Sequence, residues 1–174
     1  ERDALFWVDQ ALGPYMDLLL DPIDFSEFRA SSAVKALEDV PAIFSEACSN
    51  LEGTAVAPFA QAVIEQLSAG ADIRGEKFPD IGERIAMSTG ALEKHIPVSL
   101  HGSLALASQK AGVAAEEFRN WLDLRVNSMN TSTAVGRDVF IWYLRNVAIM
   151  SESPEELVDG ARHEYCRSIV WEKL

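Results

Sequence analysis

The chain has 174 residues, 48% hydrophobic, 24% charged and 9% aromatic, a composition that excludes a disordered tail, a collagen-like repeat and a low-complexity linker. Fifteen Lys and Arg against twenty-seven Asp and Glu give a net charge of −12, which disfavours non-specific binding to nucleic acid or to an anionic membrane. Two cysteines, Cys48 and Cys166, form neither a disulfide framework nor the paired spacing of a structural zinc site.

Helical periodicity runs through almost the whole chain. From Asp3 to Leu20, the residues Leu5, Val8, Leu12, Tyr15 or Met16, and Leu19 fall on one stripe, with a kink or a break expected at Gly13-Pro14. Asp21-Pro22 reads as a turn. A second helix is expected over Asp24–Asp39 on Phe25, Phe28, Val34 and Leu37, and a third from Pro41 through Ile43, Phe44, Ala47 and Leu51, since proline suits a first helical turn. Thr54–Ala69 follows on Val56, Phe59, Val63, Ile64 and Leu67, with Gly70 as its stop. The polar stretch Ala71–Pro79 is the most loop-like part of the chain, and any subdomain boundary is expected there. Asp80–Thr89 reads as a short helix on Ile81, Ile85 and Met87.

The last third predicts helices over Pro97–Ala111, Ala114–Met129, Thr131–Met150 and Ser153–Lys173. Ser153-Pro154-Glu155-Glu156 is the clearest local signal, with serine as N-cap, proline in the first turn and Glu156 closing a capping box. Val139–Met150 (VFIWYLRNVAIM) is apolar nearly all round, the pattern of a helix enclosed by others, so Trp142 is expected in the core. No strand alternation and no repeat of 20–50 residues stands out. The fold expected is therefore all-α: a single domain of eight or nine helices, with Thr131–Met150 near its centre and Ser153–Lys173 packed over it.

No stretch approaches the roughly 20 apolar residues of a membrane span; the most apolar run is broken by Arg145 and Asn146. The expectation is a soluble protein of the cytoplasm or of an organelle matrix. Phosphate loops, nucleophile elbows, H-E-x-x-H and EF-hand patterns are all absent, so no catalytic or cofactor-binding residue is assigned. One ladder has the right chemistry for half of a metal site. Glu156, Asp159 and His163, with Cys166 a turn further, lie along one side of the last helix. The opposite side carries Leu157, Val158, Ala161, Tyr165 and Ile169 as the expected core stripe, which makes the ladder a solvated face. Arg137, Asp138 and Arg145 interrupt the most apolar helix, and a charge there must be paired or reach solvent. An ion pair with a carboxylate of the acidic first half is expected. Trp171 is the tryptophan expected to be exposed, and with Arg137 and Arg145 it is a candidate for binding a partner.

Residues 96–126 (IPVSLHGSLALASQKAGVAAEEFRNWLDLRV) resemble the ribbon-helix-helix family of DNA-binding domains, in particular the C-terminal form found in HicB-type antitoxins. Ser99, Leu100, His101, Leu104, Ala105, Gly112, Val113 and Phe118 occupy matching positions. The resemblance implies a dimer whose strand, here residues 91–96, would offer Lys94 and His95 to the major groove, with a turn at Ala111-Gly112-Val113 between two helices. The same words read as a helix-turn-helix. Residues 91–129 carry four basic and four acidic side chains, whereas a DNA reader needs an excess of cations against phosphate. The leading expectation is accordingly a non-enzymatic protein–protein interaction module, an accessory or regulatory subunit of a larger assembly. The second is a dimeric DNA-binding regulator using residues 92–126. The third is a helical ligand-binding protein or enzyme with a pocket near Arg145.

Overall fold

The computed structural model describes residues 2–20, 26–71 and 74–173; the expected turn at Asp21-Pro22, and Asp24 and Phe25, lie outside them. Among the described residues there are seven α-helices: α1 (Ala4–Leu20), α2 (Glu27–Leu51), α3 (Ala57–Leu67), α4 (Ile81–Leu92), α5 (His101–Asp123), α6 (Arg137–Asn146) and α7 (Pro154–Glu172). A two-residue antiparallel pairing of β1 (Gly70–Ala71) with β2 (Lys77–Phe78) closes the loop-like stretch after α3. The all-α expectation holds. The count of eight or nine does not, because two pairs of expected helices are single rods. The chain divides into two compact units, Glu1–Ser132 and Thr133–Leu174, so the loop around residues 71–79 lies within the first.

In the first unit, α2 runs unbroken past Pro41. Its buried residues Ala30, Val34, Leu37, Val40, Phe44, Ala47 and Leu51 keep three-to-four spacing on both sides of the proline, so burial of one continuous stripe outweighs the hydrogen bond lost at the Leu37 carbonyl. Pro14 is likewise inside α1. Phe28, one of the apolar residues that mark the expected second helix, is 83% exposed: at the first turn of α2 it stands off the stripe. Ser26 caps that helix by accepting from the Arg29 N–H.

The helix at the heart of this unit is α5, 23 residues long. It packs against α2, α3 and α4 and buries Leu104, Ala107, Ser108, Ala111, Gly112, Ala115, Phe118 and Leu122. The turn expected at Ala111-Gly112-Val113 is absent, and the segment expected as a strand before Pro97 is the end of α4 followed by a 3-10 turn at Glu93–His95. Gly112 serves a different purpose. A Cβ on it would lie 3.2 Å from the Gly82 Cα, so the missing side chain lets α4 and α5 approach backbone to backbone. Buried polar groups along this seam are satisfied. The Thr89 and Ser108 hydroxyls bond each other at 3.0 Å, and the fully buried Tyr15 of α1 reaches Ser88 of α4 at 3.0 Å. Phe44 of α2 stacks on Phe118 of α5 with centroids 4.7 Å apart.

The second unit departs most from expectation. Only Arg137–Asn146 of the expected Thr131–Met150 helix is helical, starting at Gly136, which holds a positive φ of 83°. Leu144 is its one buried residue, and Trp142 is 59% exposed. α7 has the predicted capping box: Ser153 Oγ accepts from the Glu156 N–H at 3.3 Å, and the Ser153 N–H donates to Glu156 Oε2 at 2.7 Å. None of its 19 residues is buried. The core of the first unit, from Ala4 to Leu122 with partly buried support as far as Met129, includes no residue of the second.

Two glycines test the α4–α5 seam. Gly112→Leu is expected to destabilise the protein by about 1–3 kcal/mol through overpacking. Gly90→Ala, on α4 with open space around it, is expected to stabilise it by about 0.5–1 kcal/mol. Urea unfolding followed by far-UV circular dichroism measures both.

Candidate functional site

The structural feature that asks for a function is the surface of the second unit. α6 carries apolar residues on two faces. Leu144 and the half-buried Ile141 define the inner one, while Val139, Trp142 and Tyr143, at i, i+3 and i+4, form an outer one open to solvent. The chain then reverses. Val147 and Ala148 donate to the Tyr143 carbonyl, Ile149 takes a left-handed conformation with φ 54°, and the Met150 N–H returns to the Leu144 carbonyl at 2.8 Å. A β-branched residue in that region costs about 1–2 kcal/mol, which the turn sustains in order to fold the linker back along α6.

This reversal brings the first turn of α7 to the first turn of α6. Arg137 donates to both carboxylate oxygens of Glu155, with Nη2 2.9 Å from Oε2. The ion pair expected for Arg137 therefore exists, but its partner is Glu155 rather than a carboxylate of the acidic first half; the local reversal supplies a closer one. Hydrogen bonds from the Arg137 guanidinium hold the Glu155 carboxyl down at about 2 and raise the arginine's own pKa. Glu156 is also lowered, by the Ser153 N–H and hydroxyl.

Beyond that anchor α7 extends over about 28 Å with its apolar stripe uncovered: Leu157 and Ile169 are half-buried, Val158 and Ala161 are exposed, and Tyr165 is 67% exposed. Trp171 is 73% exposed. The polar side carries Asp159 paired with Arg162 and Glu164 paired with Arg167. Glu156, Asp159 and His163 all lie on it, exposed, and the described residues contain no group of three or more His, Cys, Asp or Glu able to hold a metal ion. Cys166, a turn further along, is exposed as well. Arg145 is exposed in the last turn of α6 and forms no ion pair among the described residues.

The first unit offers shallower features. A groove of about 400 Å³ between α2 and α5 is lined by Pro41, Phe44, Cys48, Ala114, Glu117 and Trp121; burial pushes the Cys48 thiol up, which keeps it protonated at neutral pH. Arg125 stacks on Trp121 at 4.6 Å and pairs with Glu52 at 3.6 Å, and all three line a second, smaller cavity with Leu51 and Met129. Lys94 and His95 are exposed on the 3-10 turn after α4. Among the described residues no helix is long and apolar enough to cross a membrane.

What the sequence reading missed is the outer face of α6. Its signal was present as VFIWYL, apolar on every side. Comparison with family models, with curated proteins and with solved structures returned no match.

Two measurements check the α6–α7 anchor. By carboxyl NMR titration Glu155 is expected to titrate near 2, and Arg137→Ala to return it toward 4.5. Because the folded value lies below the unfolded one, the pair's contribution to stability is complete above pH 4.5 and is lost as the pH falls toward 2. Ser153→Ala is expected to weaken α7 by about 1 kcal/mol, seen as faster amide exchange in its first turn.

Proposed function

We propose that this chain is a non-enzymatic protein–protein interaction module, an accessory or regulatory subunit in which the second unit carries the contact surface. The observation that supports this reading is the exposure of Trp142 and Trp171 together with Val139, Tyr143, Val158 and Tyr165 on two helices that bury one residue between them. Large apolar patches open to water mark interaction sites, and tryptophan and tyrosine are among the residues that most often dominate binding energy. Arg137 and Arg145 flank the aromatic face of α6; Arg137 pairs with Glu155 of α7, and Arg145, which forms no ion pair among the described residues, supplies a donor for a partner's carboxylate or carbonyl. The acidic character of the first unit, ten basic against twenty acidic residues over 1–132, steers approach away from polyanions.

The test is recovery of binding partners by the tagged full chain from native lysate with and without nuclease, with the Trp142→Ser/Trp171→Ser variant alongside. The expected result is a stoichiometric protein retained by the wild-type chain and reduced at least about tenfold by the variant, since each anchor contributes on the order of 1–2 kcal/mol. Equal recovery by both chains would sink the assignment to this surface. Nucleic acid lost on nuclease treatment would favour the DNA-binding reading instead.

A further inference from the structure

We infer that the reversal at Ile149 is a strained hinge, and that α6 and α7 form a two-state element. In the closed hairpin Arg137 clasps Glu155; in a minor open form, on the order of 1% of chains, Ile149 relaxes to an extended backbone and the first turn of α7 leaves that of α6. The inference goes beyond the interaction-module reading and concerns how the two helices of the second unit are held. It starts from the backbone. Ile149 holds φ at 54°, a region that glycine enters freely and a β-branched residue avoids. Strain of this kind persists where the surroundings over-determine it, and it gathers at clamps and switches. Packing does not over-determine Ile149. Every residue from 145 to 152 is exposed, Ile149 itself to 79%, so burial of the linker contributes little to keeping the turn.

What holds the turn is polar and reversible. The Met150 N–H donates to the Leu144 carbonyl at 2.8 Å, and the Val147 and Ala148 N–H groups donate to the Tyr143 carbonyl. At the far end of α6, Arg137 Nη2 lies 2.9 Å from Glu155 Oε2, with both side chains exposed. Water competes for each of these bonds, so each has a small net effect. The turn and the clasp depend on each other: without the reversal at Ile149, Glu155 does not return along α6 to Arg137. The sequence also defines the open form. Pro154 keeps Ser153 out of the helical region, and Ser153 is extended where it caps α7, so α6 and α7 cannot fuse into one rod. Opening leaves two helices joined by residues 147–153, which reach at most about 25 Å when extended. The spacing between the aromatic face of α6 and Trp171 therefore changes while both helices stay intact, and a partner that binds the two at one spacing selects one form.

Amide hydrogen exchange of the full chain, read by NMR and taken relative to intrinsic rates, tests the hinge with three variants at exposed positions. The Met150 N–H is the reporter, since its bond to the Leu144 carbonyl is present in the closed form and lost in the open one. Ile149→Gly is expected to raise its protection at least about threefold. Relief of left-handed strain is worth about tenfold in the closed-to-open ratio, and the freedom that glycine gains in the open form returns part of it. Ile149→Val, equally β-branched, is expected to stay within about twofold of wild type. Arg137→Ala, at the other end of α6, is expected to lower Met150 protection at least about threefold. Failure of Ile149→Gly to raise the protection would remove the strain, and failure of Arg137→Ala to lower it would uncouple the clasp from the turn. Either result overturns the inference, as does a change in Ile149→Val as large as that in Ile149→Gly. The interaction-module reading fails separately, on equal recovery of protein partners by wild type and the Trp142→Ser/Trp171→Ser variant.

Discussion

The backbone contact between α4 and α5 is the constraint on which the first unit depends. At Gly112 the two helices approach so closely that a Cβ would lie 3.2 Å from the Gly82 Cα, and α5 also buries the small residues Ala107, Ala111 and Ala115. With α5 held there, its larger residues Phe118 and Leu122 are free to meet α2, where Phe44 stacks on Phe118. The hydroxyl pair Thr89–Ser108 sits buried inside the seam at 3.0 Å, and with each partner satisfied it costs little. The remaining helices are placed by these: α1 by Tyr15 reaching across to Ser88 of α4, and the tail of the unit by the Ala57 N–H donating to the Asn130 carbonyl at 2.8 Å.

Much of this was legible in the sequence. The stripes on α1, α2, α3 and α4 repeat at helical spacing, and the capping box at Ser153 could be read residue by residue because N-cap chemistry is local. The misreadings have a common cause. Pro41 and Gly112 are breakers by local propensity, yet α2 and α5 run through them because the buried stripe on each continues past the break. Propensity is worth about 1 kcal/mol for glycine and 3 for proline, less than a row of buried side chains supplies. Phe28 was misplaced for the converse reason: an apolar side chain one position off the stripe faces water whatever its hydrophobicity.

The second unit was misread for a different physical reason. A helix apolar on every side, as in VFIWYL, must be enclosed by something, and a sequence does not say whether the enclosing atoms belong to the same chain. The expected central helix and the observed exposed one carry the same sequence pattern. The partner of Arg137 follows the same lesson. The need for a carboxylate was legible; that a left-handed Ile149 would fold the linker back and deliver Glu155 was not, since nothing in a β-branched residue signals such a conformation.

The separation of the core from the second unit has a consequence for how long the chain survives in a cell. α6 and α7 together present Arg137, Arg145, Arg162 and Arg167 on exposed helical backbone, and a helix without buried residues opens locally at small free-energy cost, giving a trypsin-like protease access to it. Among the described residues the core of the first unit runs from Ala4 to Leu122, with partly buried support as far as Met129, so such a cut removes none of it. A cut there would separate the exposed Tyr165 and Trp171 of α7 from the folded first unit.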